Sequence, residues 1–509
     1  MSFPRSSGIL LHPTSLPGRF GIGDLGNEAY NFIDFLASSG QRLWQVLPLG
    51  PTGYGDSPYQ CFSAFAGNPL LVSPDLLIND RLLSDEDLRK VPAFRTSRVD
   101  FGNVIDYKKQ LLGQAFENFK RMSDGSLRSD FESFCHQTQW WLEDYALFRA
   151  LKEAHAGVAW TSWEPQYAAR DTSALAAARE GLRDKIEAEK FVQFLFFKQW
   201  SQLKSYCRDR RIRIIGDAPI FVAFDSADVW ANPEQFKLDK GRQLTVQAGV
   251  PPDYFSKTGQ LWGNPIYDWN AMRGNGFRWW IDRLRATFEM VDILRIDHFR
   301  GFSACWEVPG QDKTAEHGRW VDVPGKELFT TLRNVLGEMP IIAEDLGVIT
   351  PDVEALRDDF GFPGMRVLQF AFRGDSKTID LPHNYVRNCV VYTGTHDNDT
   401  TAGWFNSKAG LGSTRSAADI ERERAYCLEY LDSNGREIHW DLIRAAWSSV
   451  ADTAVVPLQD VLGLGSRARM NLPASEQGNW QWRYRAGALT QKISERLRRL
   501  TELYGRAGN

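Results

Sequence analysis

Three stretches of this 509-residue chain run from apolar residues into an acid with polar neighbours. They are Val291-Asp-Ile-Leu-Arg-Ile-Asp-His-Phe-Arg-Gly301, Pro340-Ile-Ile-Ala-Glu-Asp-Leu-Gly347 and Val390-Val-Tyr-Thr-Gly-Thr-His-Asp-Asn-Asp-Thr400. The acids at or near the ends of the apolar runs are Asp297, Glu344 and Asp397. Two carboxyl groups whose environments push their ionisation apart can divide the labour, one attacking as an anion and one carrying a proton. Cleavage of a glycosidic bond with retention uses such a pair about 5–5.5 Å apart. A third carboxylate can hold sugar hydroxyls or favour positive charge at the reacting carbon.

Period-two alternation orients these groups. Ile293, Arg295 and Asp297 share one parity and face the same way from an extended strand. Arg295 then lies beside Asp297 and favours its charged form, as an attacking carboxylate requires. Glu344 follows an apolar approach, and desolvation there disfavours its charge, which suits a proton carrier. His298 and His396 adjoin Asp297 and Asp397 and offer ring donors to the same ligand. The plainer reading of each acid is an N-cap for the next helix; three such strand ends together favour catalysis. A metal centre is the other alternative, built from His12, His298, His396 and the Asp397-Asn-Asp399 run. No His-Glu-x-x-His helix and no His pair at ligand spacing occurs, so no metal and no cofactor is expected.

Eight short apolar runs bounded by Gly, Pro or Asp read as buried parallel strands: 43–47, 69–72, 212–215, 291–296, 340–343, 365–370, 389–392 and 453–456. Helical patterns lie between many of them, at 28–37, 190–206, 277–288, 326–336 and 352–358. This alternation predicts an α/β fold, a (β/α)8 TIM barrel with helical insertions, whose C-terminal rim gathers the three acids. One catalytic unit over 1–509 is expected, with a largely helical insertion at 75–205, a substrate-covering loop insertion at 225–275 and a helical insertion at 405–439. Gly21-Ile-Gly-Asp-Leu-Gly26 matches a dinucleotide fingerprint, but Pro17-Gly-Arg-Phe20 replaces the strand that should lead into it. A tight loop with Asn27 capping the next helix is the better reading.

Composition narrows the partners. Lys and Arg total 60 against 64 Asp and Glu, a net charge of −4. No basic excess points to nucleic acid, and no polybasic block or long apolar run points to a membrane. The apolar run at 9–11 is too short for a signal-peptide core, and six dispersed cysteines suit reduced thiols. A cytoplasmic location is expected, or a plastid stroma for a mature plant-type form. The sequon at Asn398 falls within the candidate site and is read as unglycosylated. Eighteen Trp in an aromatic content of 13% would serve packing, and also sugar stacking, because a flat ring covers the C–H face of a pyranose.

At these residues the sequence closely resembles the amylomaltases, also called disproportionating enzymes or 4-α-glucanotransferases. The resemblance includes Gly8-Ile-Leu-Leu-His-Pro-Thr-Ser-Leu-Pro17, Gly55-Asp-Ser-Pro-Tyr-Gln60, Gly216-Asp-Ala-Pro-Ile-Phe221, the segment 251–265, and the three acidic stretches. It implies a retaining transferase acting on α-1,4-glucans, with Asp297 as nucleophile, Glu344 as general acid/base and Asp397 as the supporting carboxylate. It further implies that Arg295, His298 and His396 position sugar and nucleophile, that Asp217 binds sugar, and that Ser57 and Tyr59 line the donor cleft. Gln260, Trp262 and Asn264 would lie in a glucan-binding loop. Tyr54 would belong to a second, remote groove, with Phe101 where the family has a tyrosine. An α-amylase-type hydrolase, which shares the first half-reaction, and a non-catalytic glucan-binding protein are the alternatives.

Overall fold

The computed structural model describes residues 3–122, 125–252, 257–408, 416–473, 475 and 477–507. Eight parallel strands form its central sheet. They are β1 (Ser6–Leu10), β2 (Leu43–Gln45), β3 (Arg213–Pro219), β4 (Ile293–Asp297), β5 (Ile341–Ala343), β6 (Gly364–Val367), β7 (Cys389–Tyr392) and β8 (Thr453–Pro457). The strands pair in the order β6-β7-β8-β1-β2-β3-β4-β5, so the two ends of the sheet, β5 and β6, are consecutive in the chain. The seam between them is bridged. Ala343 donates its N–H to the Pro363 carbonyl at 3.0 Å, and the Asp345 carboxylate accepts from the Met365 N–H at 2.6 Å. The result is a (β/α)8 barrel. Helices Asn27–Ser38, Arg183–Asp209, Arg278–Met290, Gly325–Leu336, Pro351–Asp359, Ile438–Ser448 and Gln491–Leu503 alternate with the strands around it. The β6–β7 connection carries only two short 3-10 turns, Leu368–Phe370 and Pro382–Asn384.

The strands are short and almost wholly buried, as a sheet with helices outside and side chains inside requires. Gly8 lets β1 approach β2, since a Cβ there would stand 2.3 Å from the Leu43 carbonyl oxygen.

Several expectations need correction. Residues 69–72 are no strand. Pro69 opens a 3-10 turn, Pro69–Leu71, because it lacks the ladder donor and Asn68 Oδ1 accepts the Leu70 N–H at 3.0 Å. The missing strand is β1, whose buried Ser6 and Ser7 hide it from a search for apolar runs. The run at 365–370 leaves the sheet after Val367. Gly26, not Asn27, occupies the cap before Asn27–Ser38, and the Asp24 carboxylate takes the Gly26 N–H at 2.9 Å.

Between β2 and Arg183–Asp209 the chain forms Phe101–Arg121, Gly125–Ala154 and Thr172–Gly181. Past β3, strands Val246–Val250 and Gln260–Pro265 join Ala304–Pro309 and Arg319–Asp322 in a four-stranded antiparallel sheet beside the barrel mouth. Part of the expected covering loop, 253–256, and part of 405–439, residues 409–415, lie outside the described residues; Ala417–Leu431 is helical. The six cysteines are free thiols. Among the described residues no helix is long and apolar enough to cross a membrane.

Candidate active site

The C-terminal ends of β3, β4, β5 and β7 build one rim. β3 and β4 pair so that Asp217 stands opposite Arg295 and Pro219 opposite Asp297. Arg295 is buried and uses both ends of its guanidinium. Nη1 donates to both Asp217 oxygens at 2.8 Å, and Nη2 donates to Asp297 Oδ1 at 2.9 Å. Burial alone would weaken the Arg295 cation, but the two carboxylates outweigh it and hold its pKa well above the usual value. Asp217 has no exposed side-chain surface (0%), and the Tyr59 hydroxyl donates to it at 2.8 Å. Burial raises the Asp217 pKa against the pull of Arg295. Asp217 therefore backs the arginine from the neighbouring strand, with its carboxylate closed to solvent.

A sharp turn follows Asp297. His298 has φ +54°, a left-handed conformation that costs a non-glycine residue roughly 1 kcal/mol or more. The turn aims the His298 N–H at Glu344 Oε2, 2.7 Å away. The Leu346 N–H reaches Glu344 Oε1 at 3.0 Å. Two amide donors and Arg295 favour the carboxylate, yet burial and then the Asp297 charge win, and the Glu344 pKa is pushed up to about 7. Burial lowers the His298 ring to about 4, so it is neutral near pH 7. Its Nε2 has no partner among the described residues, and the Trp262 ring meets it edge-on at 4.7 Å.

Asp397 is the open member of the trio, with 45% of its side chain exposed. Asn471 Nδ2 donates to Asp397 Oδ1 at 2.6 Å, and Arg469 donates to the Asp397 carbonyl at 2.5 Å. His396 Nε2 stands 3.4 Å from the same carboxylate. The His396 ring stacks on Tyr59 with centroids 5.1 Å apart, and Trp480 packs near both. Tyr59 thus ties the loop after β2 to Asp217 on one side and to His396 on the other.

The other expected residues divide. Ser57 Oγ accepts the Tyr59 N–H at 3.2 Å and shapes that loop. Trp262 Nε1 donates to Gln260 Oε1 at 3.3 Å near the mouth. Asn264 is buried and donates to the Val222 carbonyl at 2.8 Å, which anchors the strand that carries Trp262. Tyr54 is 76% exposed, whereas Phe101 is only 7% exposed and belongs to the core.

Residues 11–490 match the family profile described as 4-alpha-glucanotransferase, glycoside hydrolase family 77. The chain belongs to the 4-alpha-glucanotransferase family. The 4-alpha-glucanotransferase of Synechocystis is 53% identical over 99% of this chain and 98% of its own. That of Thermus thermophilus is 50% identical over 99% of each chain. The solved amylomaltase of Streptococcus agalactiae, in complex with acarbose, superposes with TM-score 0.94 and 41% identity, covering 99% of this chain and 100% of its own.

Sequence reasoning missed Asn471, Arg469 and Trp480 at this 4-alpha-glucanotransferase rim. They come from the loop after β8, and the signal available was their place beyond a barrel strand's C-terminal end. Loss of one hydrogen bond to Asp397 should weaken its orientation without unfolding the barrel. Asn471→Ala is expected to lower kcat about tenfold with an unchanged Tm, measured on purified enzyme. An unchanged kcat would remove Asn471 from the site.

Proposed function

We propose that the trio transfers α-1,4-glucan segments between maltooligosaccharides, amylose and starch- or glycogen-type chains by two displacements on one carbon. The observation that carries this is the unequal pair at the ends of β4 and β5. Asp297 is bound to a buried guanidinium, and its neighbour Glu344 is pushed up to about 7.

Glu344, protonated, gives its proton to the glycosidic oxygen as Asp297 attacks the anomeric carbon. The C–O bond to the leaving chain breaks and a glucosyl ester of Asp297 forms. Glu344, now a carboxylate, takes the proton of an acceptor 4-hydroxyl, which attacks the ester carbon and releases Asp297. Configuration is retained by double inversion. Asp397, anchored by Asn471, holds sugar hydroxyls while positive charge develops. His298, neutral at this pH, offers Nε2 to the same ring. Asp217 acts through Arg295. Trp262, beside His298, covers the site against water so that a sugar acceptor wins. No metal or cofactor enters these steps. We place the reaction in the cytoplasm, or in a plastid stroma for a mature plant-type form, where the six free cysteines stay reduced.

Maltotriose alone tests the reading. The enzyme should give glucose and a ladder of longer glucans with little gain in reducing ends. Asp297→Asn should lower that rate by at least about three orders of magnitude. A steady gain of reducing ends would indicate a hydrolase, and wild-type transfer by Asp297→Asn would remove the nucleophile assignment. The pH profile tests Glu344. The acid must be protonated in the free enzyme, so kcat/KM should fall as pH rises through about 7. A profile flat to pH 9, about two units beyond that value, would contradict it.

A further inference from the structure

A second cavity lies outside the catalytic rim. It occupies about 310 Å³ between the helix Gly125–Ala154, the segment 227–235 and the start of Arg278–Met290. That size is within the range of small-molecule sites, about 300–1,000 Å³. None of Asp297, Glu344, Asp397 or Arg295 lines it.

Three indoles form its apolar wall: Trp140, Trp141 and Trp279. All three pack around one ring, Phe65. Trp140 meets it edge-on at 4.9 Å, Trp141 lies nearly parallel at 6.5 Å, and Trp279 meets it edge-on at 6.1 Å. The wall is therefore fixed before any ligand arrives. Trp140 nevertheless leaves 50% of its surface to solvent, an unusual cost for the largest side chain. The buried Trp279 Nε1 has no acceptor among the described residues. Besides Phe65, Ala227 and Ala231, the rest of the lining is polar and includes the carboxylates Asp144, Asp228 and Asp282. Asn232, Gln235 and Asn275 supply amides, with Asn275 Nδ2 donating to Gln235 Oε1 at 3.1 Å. Asp282 is held at the lip by Arg278 and Arg285.

We propose that this cavity is a second sugar-binding site, which holds a pyranose of a glucan chain away from the reacting bond. Flat indoles cover the C–H face of such a ring, while amides, a carboxylate and a guanidinium meet its hydroxyl rim. A cationic ligand in an aromatic cage fits less well, because the lining carboxylates are already engaged, Asp144 by Arg170, Asp228 by the Ala64 N–H and Asp282 by Arg278 and Arg285, and an indole N–H needs an acceptor. The choice of glucan as ligand rests on the transfer reading above. A chain bound here raises the local concentration of ends near the rim, so the site serves long glucans and not short ones.

The test is retardation in native gels containing amylose, with Asp297→Asn as the parent so that the polymer is not consumed. Trp140→Ala in that background should weaken amylose binding at least about threefold, and Trp140→Phe should restore most of it. The exposed Arg278→Ala should also weaken it. With Asp297 intact, Trp140→Ala should transfer maltotriose at the wild-type rate. The inference is overturned if Trp140→Ala and Arg278→Ala both bind amylose as the parent does. It is also overturned if Trp140→Ala loses maltotriose transfer in step with amylose binding, since the cavity would then belong to the catalytic cleft. Failure of the transfer reading itself would appear separately, as absence of maltotriose transfer by the wild-type enzyme.

Discussion

One buried cation organises this rim. Arg295 is shut away from water, and a charge so placed costs several kcal/mol unless it is fully paired. Asp217 and Asp297 pair it from neighbouring strands, and they do so only because β3 and β4 meet in the register that sets Asp217 opposite Arg295. The pairing also fixes where Asp297 points. Through Asp217 it reaches Tyr59, and through Tyr59 the stacked His396 beside Asp397. Acids that are far apart in sequence are thereby joined by one chain of charge-assisted and ring contacts.

The second constraint is the competition at Glu344. Its two amide donors would, alone, favour a carboxylate. Burial and the neighbouring Asp297 charge prevail, and the group sits near neutrality. The left-handed turn at His298 is what brings one of those donors into place, so backbone strain just after β4 is coupled to the proton carrier just after β5. Asp345 stands next to Glu344 in the chain and bridges β5 to β6, where the sheet ladder lapses. The seam of the barrel and the acid of the mechanism are held by adjacent residues.

Much of this was legible in the residues. The parity of Ile293, Arg295 and Asp297 foretold the ion pair, and the apolar approach to Glu344 foretold its desolvation. The eight-strand count was reached with one wrong strand and one missing one. Pro69 begins a turn because it cannot donate, a local fact the apolar run concealed. β1 carries buried serines, so its membership depends on its neighbours β8 and β2. The four-stranded sheet joins segments on either side of β4, a pairing that no local pattern encodes. Asn471 and Trp480 reach the rim only through the fold of the loop after β8.

The central claim is that Asp297 carries the sugar between donor and acceptor. Removing the proton carrier while supplying a donor that needs no acid isolates that step. Glu344→Gln enzyme mixed with an α-maltosyl fluoride, quenched and digested, should yield the peptide spanning Asp297 with one maltosyl unit attached at that carboxylate by mass spectrometry. A modified peptide at Asp397, or fluoride release with no covalent adduct at any acid, would contradict the account.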